Sequence, residues 1–267
     1  MFDYLALPEY QRAIVAAVLS GILLPEVGVL MVLERFTFAG AGITHIAFSG
    51  VTLFLLLGIS PTLGALVFSI IAAFMMWHFL ENRGVNLDAG MGILFAFFMS
   101  LAILFMSFSK GYSGEALSYL FGSILTVTPM DIVLLGAMFI VVQVFLVVFH
   151  RDIFLLLLNR ELAEASGVNV KNIRLFLLLL IAVVITISMK IMGALLVIGM
   201  AVMPAVSALK IKKSFLQVIV FSGIIGTFAA LSGFIVSLFL NTPPSATIVV
   251  VTFLVFAVMI NIRVKRA

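Results

Sequence analysis

Polar positions in this chain gather in a few short clusters, and the stretches between them are apolar for about 20 residues at a time. Each stretch is long enough to cross a hydrocarbon layer roughly 30 Å thick as an α-helix. Alternation at period two, the mark of a transmembrane β-barrel, is absent. Breaking the apolar runs at charges and at Gly, Pro and Asn clusters predicts nine helices, near 11–33, 41–59, 62–80, 89–107, 131–149, 172–189, 192–209, 214–240 and 246–263. The segment SKGYSGEALSYLFGSILTVTPM, 109–130, is too interrupted to span and reads as an interfacial or re-entrant helix.

Composition sharpens this picture. Hydrophobic residues make up 64% of the chain and charged residues 10%, far from the soluble mix of about 45–50% apolar and about 25% charged. With a mean hydropathy of +1.37, the expected class is an all-α membrane protein of about nine transmembrane helices. No boundary separates a second domain, so 1–267 is expected to form one transmembrane domain. The first ten residues, MFDYLALPEY, are acidic and lack the basic start of a signal peptide, so the first apolar run is expected to be retained. Cysteine is absent, which leaves the redox compartment unreadable and restricts a metal site to His, carboxylate, Met and backbone carbonyl.

A net charge of +4 and a pI near 9.6 raise the question of nucleic acid, but the distribution of charge answers it. With nine spans the termini lie on opposite faces. Placing the C-terminus inside puts Arg35, Arg83, Arg151, Arg160, Lys171, Arg174, Lys210, Lys212, Lys213, Arg263, Lys265 and Arg266 in inner segments, against Arg12, Lys110 and Lys190 outside. That bias predicts an outer N-terminus and a cytoplasmic C-terminus, and it accounts for the basic pI without nucleic acid.

The same orientation makes 150–174, HRDIFLLLLNRELAEASGVNVKNIR, the longest inner connection. Asn159 suits an N-cap, Glu161 and Glu164 suit the positive end of the helix dipole, and Gly167 followed by Asn169 is a stop. The predicted helix has about two turns and is marginal in water by itself. It is either a solvated connector or a segment that docks on something.

The stretch Glu161-Leu162-Ala163-Glu164-Ala165-Ser166-Gly167 resembles the E-x-A-x-x-x-G core of the coupling helix in permease subunits of ABC importers. Further segments are similar to the ABC-3 family of zinc and manganese permeases: Pro25-Glu26-Val27-Gly28, Gly40-Ala41-Gly42-Ile43-Thr44-His45 with Gly50, Gly92-Ile93-Leu94-Phe95-Ala96, and Tyr119-Leu120-Phe121-Gly122-Ser123-Ile124-Leu125. Met192-Gly193-Ala194-Leu195-Leu196-Val197, Met203-Pro204-Ala205 and Pro243-Pro244-Ser245-Ala246-Thr247 continue the series, which covers about residues 11–263. The resemblance implies an ABC importer permease bundle working as a homodimer by alternating access, with cytoplasmic ABC ATPase subunits below and an extracellular metal-binding protein outside. Glu161, Ala163, Glu164 and Gly167 would carry the ATPase coupling. No G-x-x-x-x-G-K-[ST] stretch occurs, so the chain is expected not to be an enzyme, with ATP hydrolysis on another polypeptide. No tightly bound cofactor is implied; divalent zinc or manganese would be cargo.

Ionisable groups inside a span are costly and default to a function. Glu26 lies inside the first helix directly after Pro25, which lacks a backbone N–H and loosens the helix there. His45 lies in the first turns of the second helix. The family pattern at this place, G-D-x-x-x-H, puts an acid and an imidazole on one helix face, but here Ala41 stands where the aspartate would be. Glu26, where the family more often has an apolar residue, is the candidate replacement, and Asp88, before the fourth span, is a third candidate metal ligand because the family has an acid there too.

Each candidate has a plainer alternative. His45 would be an interhelical hydrogen-bond donor, Glu26 a protonated carboxyl bonded to a neighbouring helix, and Asp88 an N-cap. His78 and His150 read as interface anchors, and Met192, Met200 and Met203 as packing residues rather than a Cu(I) line. Lys190 would snorkel or pair with an acid, while Glu115 and Asp131 would draw cations, meet a delivery protein, or be ordinary surface charges. Small residues at Gly58, Gly64 and Ala65, at Gly193 and Ala194, and at Gly223 and Gly226 predict close helix approach. An importer of a metal chelate and a secondary cation transporter with inverted halves are the competing functions.

Overall fold

The computed structural model describes residues 7–79, 87–108, 113–194 and 196–262, and every regular element among them is helical. In chain order these are α1 (Pro8–Leu33), α2 (Thr37–Leu56), α3 (Pro61–His78), α4 (Leu87–Phe108) and the short α5 (Ser113–Phe121). A 3₁₀ turn at Ile124–Thr126 leads to α6 (Pro129–Val148), α7 (His150–Leu158), α8 (Arg160–Ala165) and α9 (Val170–Met192). The chain ends in α10 (Val197–Ile211), α11 (Phe215–Leu240) and α12 (Pro244–Asn261). Eight of these helices are long and apolar enough to cross a membrane. The protein is a multi-pass, all-α membrane protein.

Two compact units emerge from the packing, each assembled from separated parts of the sequence: Met1–Val32 with Leu117–Ala137 and Ile187–Ala267, and Leu33–Ala116 with Met138–Thr186. In the first, α1 meets α10 and α11 through small residues. A methyl group on Gly28 would overlap the Ala201 carbonyl, and one on Gly226 would overlap the Gly21 carbonyl and the Pro25 ring. Within the second, α2 packs on α3 and α4; a methyl on Gly64 would strike the Gly50 carbonyl, and the Phe68 and Phe98 rings meet edge to face at 5.9 Å. In hydrocarbon the tails of lipids are as apolar as leucine, so close backbone approach of this kind is what holds helices together. Gly64, Gly226 and Ala65 therefore behave as the sequence predicts. Gly58 does not: nothing lies within 4 Å of its Cβ position, and its φ of +69° instead ends α2.

The seventh expected span, 192–209, is the chief departure. The preceding helix runs on to Met192, the chain turns at Gly193 with φ +91°, and α10 begins only at Val197. Its 15 residues rise about 22 Å, short of a full crossing. The break is tertiary in origin: Gly193 is pressed against the end of α5, where any Cβ would meet Phe121 and Gly122, and Ala194 N–H donates to the Tyr119 carbonyl at 2.9 Å. The segment expected to be interfacial or re-entrant, 109–130, holds the nine residues of α5, one 3₁₀ turn and the start of α6 among its described residues.

Candidate functional site

The predicted docking helix is present as α8, and its ends are built by local chemistry. Asn159 caps the start, its Oδ1 accepting from Glu161 N–H at 2.7 Å and Leu162 N–H at 3.4 Å. At the other end Gly167 N–H donates to the Glu164 carbonyl (3.1 Å) and Val168 N–H to the Ala163 carbonyl (3.0 Å). These two bonds form a Schellman cap, which needs a left-handed residue between them, and Gly167 has φ +83°. Arg160 and Glu164 pair at 2.9 Å along the exposed face. The helix has six residues, close to the two turns expected. Ala163 is buried, whereas Glu161, Leu162 and Glu164 are exposed, so α8 presents two acids and an apolar side chain outward on a small inward contact.

A second helix in this connection, α7, was not expected. The run HRDIFLLLL follows α6 directly, its polar His150-Arg151-Asp152 forming the first turn of a new helix, and only the non-helical Phe149 (φ −99°, ψ 15°) separates the two. α7 packs beside α8, and a cleft of about 330 Å³ opens between them and the start of α9, lined by Arg151, Asp152, Gly167, Asn169, Asn172 and Phe176 among others. Two long-range contacts gather nearby chain ends: Trp77 Nε1 donates to the Lys171 carbonyl at 3.0 Å, and Arg174 Nε to Glu34 Oε2 at 3.1 Å. The Glu34 side chain is only 5% exposed. Sequence reasoning missed Glu34, because its partner lies 140 positions away.

Lys190, at the end of α9, donates to both Asp131 oxygens at 2.7 and 2.9 Å. Asp131 also accepts from Thr128 N–H (2.9 Å) and Thr128 Oγ1 (2.8 Å), while Thr128 Oγ1 accepts from Asp131 N–H (3.3 Å). This is a capping box at the start of α6, with Pro129 at the first helical position. Of the alternatives for these residues, pairing of Lys190 with an acid is the one observed. Asp131, 6% exposed, is committed to that pair.

His45 stands on α2 with its ring edge-on to Phe95, centroids 4.8 Å apart at 85°. Its Nδ1 is buried and has no hydrogen-bond partner, while the adjacent Thr44 hydroxyl folds back onto the Gly40 carbonyl at 2.8 Å. Glu26 is 5% exposed on α1. Its Oε1 lies 3.8 Å from where a Gly223 Cβ would be, in a groove between α1 and α11. Glu26 belongs to the first unit and His45 to the second. Asp88 falls in the first turn of α4, but its side chain lies outside the described residues. Among those described, no three His, Asp or Glu side chains gather as a ready metal centre. The methionine line is packing: Met192 and Met200 are fully buried, and Met200 sulfur accepts from Thr252 Oγ1 at 3.0 Å.

Comparison with known proteins decides what this set of helices is. The family described as the ABC 3 transport family matches residues 7–263. The chain belongs to that family. Among its ABC 3 relatives, the manganese import system permease protein ScaB of Streptococcus gordonii is 28% identical over 256 residues, covering 96% of this chain and 92% of ScaB. The high-affinity zinc uptake system membrane protein ZnuB of Haemophilus influenzae is 27% identical, covering 90% of this chain and 94% of ZnuB. The solved structure of PsaBC from Streptococcus pneumoniae in complex with Fab superposes with a TM-score of 0.88 at 26% identity, covering 99% of this chain and 96% of that one. As an ABC 3 chain, the protein is a transport component.

Proposed function

We propose that this chain is the permease subunit of an ATP-driven ABC importer that moves divalent metal ions, manganese or zinc, across the cytoplasmic membrane. The observation that carries this reading is the near full-length similarity to permeases named for manganese and for zinc. Two copies of the chain would pair, each resting on a cytoplasmic ATPase subunit and receiving metal from an extracellular binding protein. Its N-terminus would lie outside and its C-terminus in the cytoplasm.

The helix α8 is the ATPase handle in this reading, because Glu161, Glu164 and Leu162 are exposed while Ala163 and the Gly167 cap fix it to the rest of the chain. ATP binding moves the docked helix, and the spans switch the side to which the path opens. His45 is the principal metal ligand, supported by its buried, unpartnered Nδ1; Glu26 supplies a carboxylate in place of the acid missing at Ala41, and Asp88 is a second acid on the path. The sidedness is supported by the pairing of predicted inner ends through Trp77–Lys171 and Glu34–Arg174, and of predicted outer ends through Asp131–Lys190.

Uptake of manganese and zinc, supplied separately to vesicles carrying the chain with its ATPase and delivery protein, tests the proposal. ATP-dependent accumulation of one metal, lost in His45→Ala at equal protein level, is expected. Transport of a metal chelate with neither free metal moved would refute it.

A further inference from the structure

The groove between α1 and α11 holds two polar groups in otherwise apolar walls. Ile22 and Glu26 are one turn apart on α1, and Gly223 and Thr227 one turn apart on α11, so each pair shares a helix face. The absent side chain at Gly223 opens the space over the Glu26 carboxylate. Val220, Ile224, Phe228 and Leu231 complete a groove of about 480 Å³, roomy enough for an ion that keeps part of its water.

Among the described residues three hydroxyls, Ser20, Ser188 and Thr227, are buried without a partner, and of these Thr227 is the one that lines this groove. The common pattern for a buried hydroxyl in these helices is to donate to a carbonyl three or four residues back, as Thr44, Thr52, Thr186, Ser222, Ser237 and Thr252 do at 2.6–2.9 Å. Thr227 Oγ1 is buried yet makes no such bond, although the Gly223 carbonyl one turn earlier is the ordinary acceptor. A buried polar atom without a partner is costly unless a ligand satisfies it, and the Glu26 carboxylate brings negative charge to the same apolar walls. Both groups line the same groove.

We propose that Glu26 and Thr227 form an oxygen-donor site for a partly hydrated, hard divalent cation, and that this site biases the importer toward manganese over zinc. The inference rests on the importer reading above but not on His45. Carboxylate, hydroxyl and water suit manganese, whereas zinc is served as well or better by nitrogen and sulfur donors. Thr227 supplies the neutral oxygen and Glu26 the charge; Gly223 keeps the space between them open.

The test measures manganese and zinc uptake separately in the complete transporter carrying wild type, Glu26→Gln, Thr227→Val or Thr227→Ser. Manganese binding to the purified chain in detergent is followed in parallel by loss of the free-ion EPR signal. Thr227→Val is expected to raise KM for manganese about fivefold, the worth of one polar contact, with zinc changed less than about twofold. Thr227→Ser restores manganese uptake, and Glu26→Gln costs roughly tenfold or more because a charge is lost. Equal behaviour of Thr227→Val and wild type toward manganese, in uptake and binding, overturns the proposal. So does an equal loss of both metals that serine does not rescue. If wild type binds manganese in a Thr227-dependent way but transports neither metal, the importer reading fails and the site stands; normal transport by both variants leaves the importer and removes the site.

Discussion

Gly167 offers the sharpest test of how α8 is held. Its φ of +83° lies in the left-handed region, and nothing stands within 4 Å of its Cβ position. A substitution there therefore acts through the backbone and not through a clash. A non-glycine L-residue in this region costs about 1–2 kcal/mol, with Asn cheaper and β-branched residues dearer. The helix it closes has six residues, too short to stand alone, and its C-terminal end is tied by the Gly167–Glu164 and Val168–Ala163 bonds. Loss of about 1–2 kcal/mol from so small an element lowers the ratio of formed to unformed helix roughly 5–30-fold. We expect ATP-dependent uptake per copy to fall in the order Asn, Ala, Val at this position, with Gly167→Arg behaving at least as badly as Ala. Thermal unfolding of the detergent-solubilised chain should hardly move, since no buried contact changes. Co-purification of the ATPase subunit separates lost docking from lost transport. The reasoning is wrong if Val transports as well as Gly, or if Asn is as damaging as Val.

Two further outcomes follow from the packing. Replacing Lys190 with Met strands the largely buried Asp131 carboxylate, but its Thr128 bonds remain and the Lys190 side chain is already 32% exposed; the cost is then about 1–2 kcal/mol, below that of a fully buried pair. A double-mutant cycle with Asp131→Asn should show coupling of about that size in thermal unfolding, and strictly additive effects would mean the pair is idle. Gly64→Ala places a methyl against the Gly50 carbonyl and is expected to destabilise by about 1–3 kcal/mol. Gly136→Ala, with nothing within 4 Å, should instead stabilise its helix by about 0.5–1 kcal/mol. Equal melting temperatures for the two alanine variants would contradict the close approach of α2 and α3.

The spans were legible because each apolar run is as long as a membrane is thick, and their ends agree within about four residues wherever a charge, Pro or Asn marks them. The chief failure lies where no such mark exists. At Gly193 the glycine of an apolar run becomes a chain break only because the end of α5 occupies the space a helix would need. At Phe149 the expected end of the fifth span agrees with that of α6, but the polar His150-Arg151-Asp152 that follows opens the helix α7, where only a connection was expected. Local chemistry behaved differently: Asn159 and Gly167 announce the ends of α8 because both act within a few residues of themselves. Glu34 and Arg174, far apart in sequence, gave no such signal, and a threonine inside an apolar helix is unremarkable until its missing bond is seen.

That missing bond and the bare His45 nitrogen bear on how cargo would be handled. Most polar groups inside these helices are spent on structure: hydroxyls close onto their own backbone, and the Glu34–Arg174 and Asp131–Lys190 ion pairs sit near helix ends. Among the described residues only Ser20, His45, Ser188 and Thr227 keep a buried side-chain atom with no partner. A resident metal centre would gather three or four ligands at one point and hold its ion. An importer needs the opposite, sites strong enough to strip part of the water and weak enough to let go. Under the proposed function, a lone imidazole and a separate pair of oxygen donors meet that requirement better than a full ligand set would. Adding a second acid by Ala41→Asp is then expected to tighten metal binding to the purified chain while slowing release in transport. Faster uptake at saturating metal in that variant would show that release is not the step these sparse ligands protect.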